Sequence, residues 1–268
     1  MRVEYKEVNR MKKNGKFILL TRAEFKDWIN NTKFSRKMRR VQNHHTYLPD
    51  YNTFRKNKKY FSLVKNMEYY HVHTAKFSQI AQNITTFPDG MIMICRSMNR
   101  NPAGIKGANT GGICVEHIGN FDNGKVNSEH QKTVLWVNAV LCERFNLTPN
   151  TTSIVYHHWY DLRSGKRKDG KGTTKTCPGR KFFGGNSVSA CKKYFIPRVI
   201  DTIKNMNKKE VKVMEKDQTV SNYAKAAVAL MKELQIMIGD EKGNFNPKDP
   251  ITRQDLAVVA MRIIEQQK

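Results

Sequence analysis

The chain has 268 residues, 39% of them hydrophobic and 10% aromatic, a composition that suits one sizeable folded domain with a smaller companion and excludes a disordered chain. Its formal charge is +25, yet residues 211–268 hold 9 basic against 8 acidic side chains, so nearly all of the excess belongs to the first 210 residues. A field of that size attracts nucleic acid and anionic wall polymers alike, while the absence of any apolar run near the roughly 20 residues of a membrane span argues against a spanning segment.

In chain order, the opening MRVEYKEVNRMKKNGK lacks the apolar core of a signal peptide, so the chain is expected to be made in the cytoplasm without its own export signal. Thr21 and Glu24 form a capping-box pair, and Phe25, Trp28 and Ile29 follow at helical spacing, which predicts a helix over about 22–30. RKMRRVQNHHT reads as a strand that delivers His44 and His45 at its carboxyl end. NMEYYHVHT, IAQNITTF, MIMICRS and GGICVEHIGNF read as further strands, separated by turn signals at PDG and NPAG. NSEHQKTVLWVNAVLCERFNL predicts a helix capped by Asn127 or Ser128, with Val134, Leu135, Val137, Leu141 and Phe145 on its apolar face. TTSIVYHHW is a short strand ending in His157 and His158, YDLRSGKRKDGKGTTKTCPG a long basic loop, and SVSACKKYFIPRVIDTIKNM a closing helix around Pro197.

Strands interleaved with helices predict an α/β domain with a mixed central sheet flanked by helices over 1–206. The polar stretch 207–220 reads as a linker. Beyond it, 221–268 predicts a small all-α helix-loop-helix module: an amphipathic helix stopped by Gly239, a turn-rich loop, and a second helix with Thr252 and Asp255 in capping positions.

Five cysteines with no C-x-x-C spacing argue against a disulfide framework. Cys95, Cys114 and Cys142 lie in apolar runs and read as buried thiols, whereas Cys177 stands in a polar loop. A catalytic zinc site takes three ligands from His, Cys and carboxylate and leaves a fourth position open. The pairs His44/His45 and His157/His158 with Lys175/Cys177 could supply such a set; taken alone, a histidine pair is more often a satisfied polar or core pair, and Cys177 a half-buried loop thiol.

QNHHTYLP, IAQNITTFPDGMI, AGIKGANTGGICVEHIGNFD, YHHWYDL and TKTCPG, in that order, resemble the zinc-dependent type-2 N-acetylmuramoyl-L-alanine amidases, the family of phage lytic amidases and peptidoglycan recognition proteins, over about residues 36–200. The resemblance implies that His44, His157 and Cys177 are zinc ligands, that His45 and His158 shape the site or its substrate contacts, and that Lys175 is a catalytic cation facing the oxyanion. Where many members carry a tyrosine, this chain has Gln82, a candidate for substrate or supporting contacts but not for proton transfer. Glu116 in GICVEHIGN matches the glutamate of related recycling amidases and is the expected general base. The expected reaction is hydrolysis of the amide between N-acetylmuramic acid and L-alanine; the alternative is a protein that binds peptidoglycan without cutting it.

YAKAAVALMKELQIMIGDEKGNFNPKDPITRQDLAVVAMRII resembles a single S-layer homology module, which implies an anionic secondary cell-wall polymer as partner, Arg253 as its first contact, and homo-oligomerisation as a way to assemble several copies. No basic readout helix, aromatic RNA signature or zinc-finger pattern supports nucleic acid. Wall-cutting chemistry without an export signal implies a phage or prophage endolysin, released to the wall at lysis.

Overall fold

Asn14–Gly15 is a hairpin signal inside a stretch otherwise read only for charge. In the computed structural model, which describes residues 12–217, 220–240, 243–247 and 249–266, it joins strand β1 (Lys12–Asn14) to β2 (Phe17–Leu20), with Gly15 at φ 60° where a side chain is disfavoured. Helix α1 (Arg22–Asn31) follows with its capping box formed, Glu24 N donating to Thr21 Oγ1 and Thr21 N to the Glu24 carboxylate. Its Phe25 and Ile29 are fully buried, each contributing on the order of 2 kcal/mol.

After β3 (Arg40–His45) come two helices, α2 (Tyr51–Asn57) and α3 (Tyr60–Tyr69), and a π turn over Tyr70–Thr74. NMEYYHVHT is therefore not a strand. Its aromatic and β-branched residues favour one locally, but Leu63, Val64 and Met67 make a helical stripe that packs on Phe17, Leu19 and Met93, and that burial decides the matter.

Strands β4 (Ile84–Thr86), β5 (Ile92–Ile94) and β6 (Gly112–His117), helix α4 (Ser128–Arg144) and strand β7 (Ile154–Tyr156) complete the main architecture. The seven strands form one mixed sheet in the order β1-β2-β5-β4-β6-β3-β7, with β4, β6, β3 and β7 mutually parallel and the remaining pairings antiparallel. The parallel strands end together at one edge, where open α/β sheets place their ligands.

Helix α4 is capped by Asn127, whose Oδ1 accepts His130 N at 2.8 Å. It lies against the sheet through polar contacts. Asn138 Nδ2 donates to Asn43 Oδ1 (2.9 Å), and a buried chain runs Tyr51 OH to His130 Nδ1 (2.9 Å), His130 Nε2 to Thr86 Oγ1 (2.7 Å), Thr86 Oγ1 to His117 Nδ1 (2.7 Å) and His117 Nε2 to Asn43 Oδ1 (3.0 Å). A short α5 (Val188–Ala190) passes through a π turn at Cys191–Phe195 into α6 (Ile196–Asp217). Pro197 cannot donate to the preceding turn, which suits the widened hydrogen bonding just before it.

The chain divides into two compact units, Met1–Ile203 and Lys204–Lys268. The stretch read as a linker from 207 is helical as far as Asp217, as its Lys, Glu, Val and Met content without Gly or Pro permits. In the second unit α7 spans Lys225–Glu233 and α8 spans Arg253–Gln266. Helix α7 ends earlier than the predicted stop at Gly239: Gln235 turns left-handed at φ 57°, and Ile236 N returns to Met231 O. Gly239, at φ 88°, instead opens the following turn, where Asp240 N bonds Asn244 O. Thr252 and Asp255 cap α8 as expected. Among the described residues no helix is long and apolar enough to cross a membrane.

Candidate metal centre

Sheet register places the first two groups. β3 and β6 run parallel with His44 opposite Glu116 and His45 opposite His117, and β4 adds Thr85 on the other side of Glu116. Residues paired in register point to the same face, so His44, Glu116 and Thr85 form a row at the carboxyl end of the sheet. His157 follows directly after β7, in a short 3-10 turn, and its ring meets that of His44 edge-on with centroids 4.9 Å apart.

Cys177 arrives from the long basic loop. His158, the second histidine of its pair, fastens that loop: its N–H donates to Cys177 O (2.8 Å), its Nδ1 bonds Lys175 O (2.8 Å), and its own carbonyl accepts Thr174 Oγ1 (2.6 Å). Asp161 anchors the loop farther out, accepting from Ser164 N, Ser164 Oγ and Thr173 N. The sulfur is buried, 3.5 Å from His44 Nδ1, and accepts the backbone N–H of His45 at 3.3 Å. One donor atom each from His44, His157 and Cys177 lies within 4.8 Å of the others.

This donor set fits a metal ion. Burial, then the charges of neighbouring histidines and Lys175, holds His44 far below the ordinary imidazole range; burial and Lys175 hold His157 at about 4. Both rings are thus neutral, with lone pairs to give. Burial pushes the Cys177 thiol up, against the His45 N–H and the Lys175 charge, so an ionised sulfur here calls for a cation at its side. Two nitrogens and one sulfur match the three-ligand donor set with which catalytic sites hold zinc.

Glu116 is half-buried, and burial raises its carboxyl to about 7 against the opposing pull of Lys175. That makes it a proton acceptor poised near neutrality. The same opposition shows that the Lys175 ammonium lies within electrostatic reach of Glu116 and of both histidines. His45 is turned the other way: its Nδ1 accepts Phe121 N (3.1 Å), and burial lowers it to about 4. Gln82 is fully buried ahead of β4, its Nε2 donating to Thr85 Oγ1 (3.1 Å) and its Oε1 without a hydrogen-bond partner among the described residues. Through Thr85, the strand neighbour of Glu116, it stands one step from that carboxyl. Arg253 is exposed at the first position of α8.

Glu116 also opens onto a groove of about 430 Å³ walled by Leu48, Pro49, Leu63, Met67, Tyr70 and His71. Reading 66–74 as a strand hid Tyr70 and His71 from the sequence analysis. Thr85 was equally out of sight, although its pairing position follows once the parallel register of β4 and β6 is known.

The family model described as N-acetylmuramoyl-L-alanine amidase matches residues 34–180, and that of the S-layer homology domain matches 217–257. Among solved structures the chain is similar to the N-acetylmuramoyl-L-alanine amidase LysC from Clostridium intestinale (19% identical, covering 55% of this chain and 80% of that one, TM-score 0.41). It is similar also to Drosophila PGRP-LB (17%, 60% and 84%, TM-score 0.45) and to PGRP-SA of Apis mellifera (16%, 63% and 93%, TM-score 0.44). Comparison with curated proteins gives no match.

Proposed function

The chain belongs to the N-acetylmuramoyl-L-alanine amidase family, and we propose that it is a zinc-dependent hydrolase of the amide joining N-acetylmuramic acid to L-alanine in peptidoglycan. The observation that carries this reading is the convergence of two neutral imidazoles, a buried thiol and a raised carboxyl at one end of the sheet. A protein that only binds peptidoglycan has no use for that combination.

A zinc ion held by His44, His157 and Cys177 would supply Lewis acidity. Glu116 takes a proton from the attacking water, whose oxygen adds to the lactyl carbonyl carbon. The ammonium of Lys175 faces the oxyanion that develops, and its position beside a partly dry site makes that charge effective. Glu116 then gives its proton to the alanine nitrogen as the C–N bond breaks, leaving a carboxylate on the glycan side and a free amine on the stem peptide.

The second unit is proposed to hold an anionic wall polymer. Arg253 supports this, being a cation placed at a helix N-terminus, where its charge adds to the helix dipole. The loop that delivers Cys177 adds exposed Arg163, Lys166, Lys168, Lys171 and Lys175 near the cleft, a surface suited to the same polyanions. Exposed Leu256 and Ile264 on α8 support association of copies through this unit. A bacteriolytic, endolysin-type role is part of the proposal, supported by the pairing of wall-cutting chemistry with a wall-reading module on one chain.

Mass analysis of purified peptidoglycan digested with the full chain tests the reaction. Stem peptides with a free N-terminal alanine are expected, and their appearance should stop on chelation and resume with zinc. New reducing sugar ends, or no products at all, would overturn the assignment.

A further inference from the structure

Gln42 and His44 are two residues apart on β3, so their side chains share one face of the sheet. Gln42 is fully buried, and its Nε2 donates to Ala108 O at 2.8 Å, which fixes the end of the amide that turns toward His44. Two atoms are then left without hydrogen-bond partners among the described residues, Gln42 Oε1 and His44 Nε2. Both pack against Gly104. A Cβ built on Gly104 would lie 2.4 Å from Gln42 Oε1 and 3.1 Å from His44 Nε2, with Cys114 Sγ at 2.9 Å. Gly104 is not among the residues of positive φ, so its backbone does not call for glycine; the space does.

An acceptor and a ring nitrogen are therefore packed against the same glycine, an approach possible because residue 104 has no side chain. The other ring nitrogen of His44, Nδ1, is the one turned to Cys177 Sγ. An imidazole that gives the Nδ1 lone pair to a metal carries its proton on Nε2, and that N–H needs an acceptor when buried. We infer that Gln42 Oε1 is this acceptor, and that Gln42 thereby holds His44 in the Nε2–H tautomer. Gln42 is a positioning residue for the metal centre, and Gly104 keeps its path open. The inference rests on His44 being a ligand, as proposed above.

The test uses the full chain, labelled with 15N and titrated with zinc against a chelator. In the wild type, zinc loading is expected to leave His44 protonated on Nε2 alone. Gln42→Leu should bind zinc about 10- to 100-fold more weakly, with mixed His44 tautomers in the metal-free chain, while its circular dichroism stays that of the wild type. Gln42→Glu keeps an acceptor and should bind zinc at least as tightly as the wild type to within about threefold. Gly104→Ala drives a methyl between Gln42 Oε1 and His44 Nε2 while leaving residue 42 a glutamine, should weaken zinc binding, and carries the test if Gln42→Leu does not fold. Wild-type affinity in Gln42→Leu or in Gly104→Ala, or a zinc-loaded His44 protonated on Nδ1, would overturn the inference. A wild-type chain that takes up no zinc, or a Cys177→Ala chain that takes it up equally well, would instead sink the ligand reading underneath it.

Discussion

Cys177→Ala is expected to leave a folded chain that no longer retains zinc at micromolar levels and hydrolyses peptidoglycan at least about 1,000-fold more slowly, the rate factor corresponding to the several kcal/mol that a positioned metal contributes. The sulfur is the single anionic donor of the set; His44 Nδ1 and the His45 N–H lie against it, and His158 holds the loop that carries it. Folding itself should survive, because the apolar core around Phe17, Leu63 and Met93 is built independently of the loop. One readout separates these effects. Addition of zinc raises the melting temperature of the wild type by mass action and should leave that of the variant unmoved. A variant with full activity and stoichiometric zinc would remove Cys177 from the centre.

Glu116→Gln should separate the two observables, keeping zinc while lowering kcat by about 100- to 10,000-fold. Glutamine fills the same volume and cannot carry the proton. In the wild type the carboxyl works as a base only when ionised, so activity should fall as pH drops through about 7 in the field that the protein itself provides. A bound dication would draw that limb toward lower pH. The limb should be missing from the residual activity of the variant. A stability measurement gives an independent check. A carboxyl raised from its ordinary 4.5 to about 7 weakens the fold wherever it must ionise. The metal-free variant should therefore melt higher than the metal-free wild type at pH 8, and at nearly the same temperature at pH 5. A loss of activity below about threefold would reduce Glu116 to a strand residue.

The centre was more legible in the sequence than the walls around it. His44 and His157 stand at strand ends that local pattern shows and Cys177 in a polar loop, and the motifs around them carry the family resemblance that singles them out. Glu116 could be placed for the same reason. The groove beside it could not, because Tyr70 and His71 belong to a segment whose local preference is extended and whose helical state depends on burying Leu63, Val64 and Met67 against strands distant in sequence. Gly239 misled in a related way. A glycine after an amphipathic run is a good stop signal, but Gln235 had already turned the chain, at a residue with no special claim to left-handed backbone. Gln42 and Thr85 had no signal of their own; only the strand register gives them neighbours.

The buried chain from Tyr51 to Asn43 has one polarity only. Asn43 Oδ1 can do nothing but accept, so a neutral His117 must donate from Nε2 and accept at Nδ1 from the Thr86 hydroxyl. Thr86 has then spent its proton and must accept from His130 Nε2, which leaves His130 Nδ1 to accept from Tyr51, itself accepting the N–H of Asn127. Every link is satisfied once, and a further proton on either ring sets two donors face to face. Burial accordingly holds His130 at about 3 and His117 well below the ordinary 6.5. Unfolded, both rings take up protons near 6.5, so the unfolded chain is the better base and gains about 1.4 kcal/mol per pH unit for each ring as the pH falls below that value. Stability from these two residues is complete above pH 6.5 and drains away in acid, a decline measurable as a falling melting temperature between pH 7 and 4. The strand that presents His44 is thus held from behind by a zipper that acid opens.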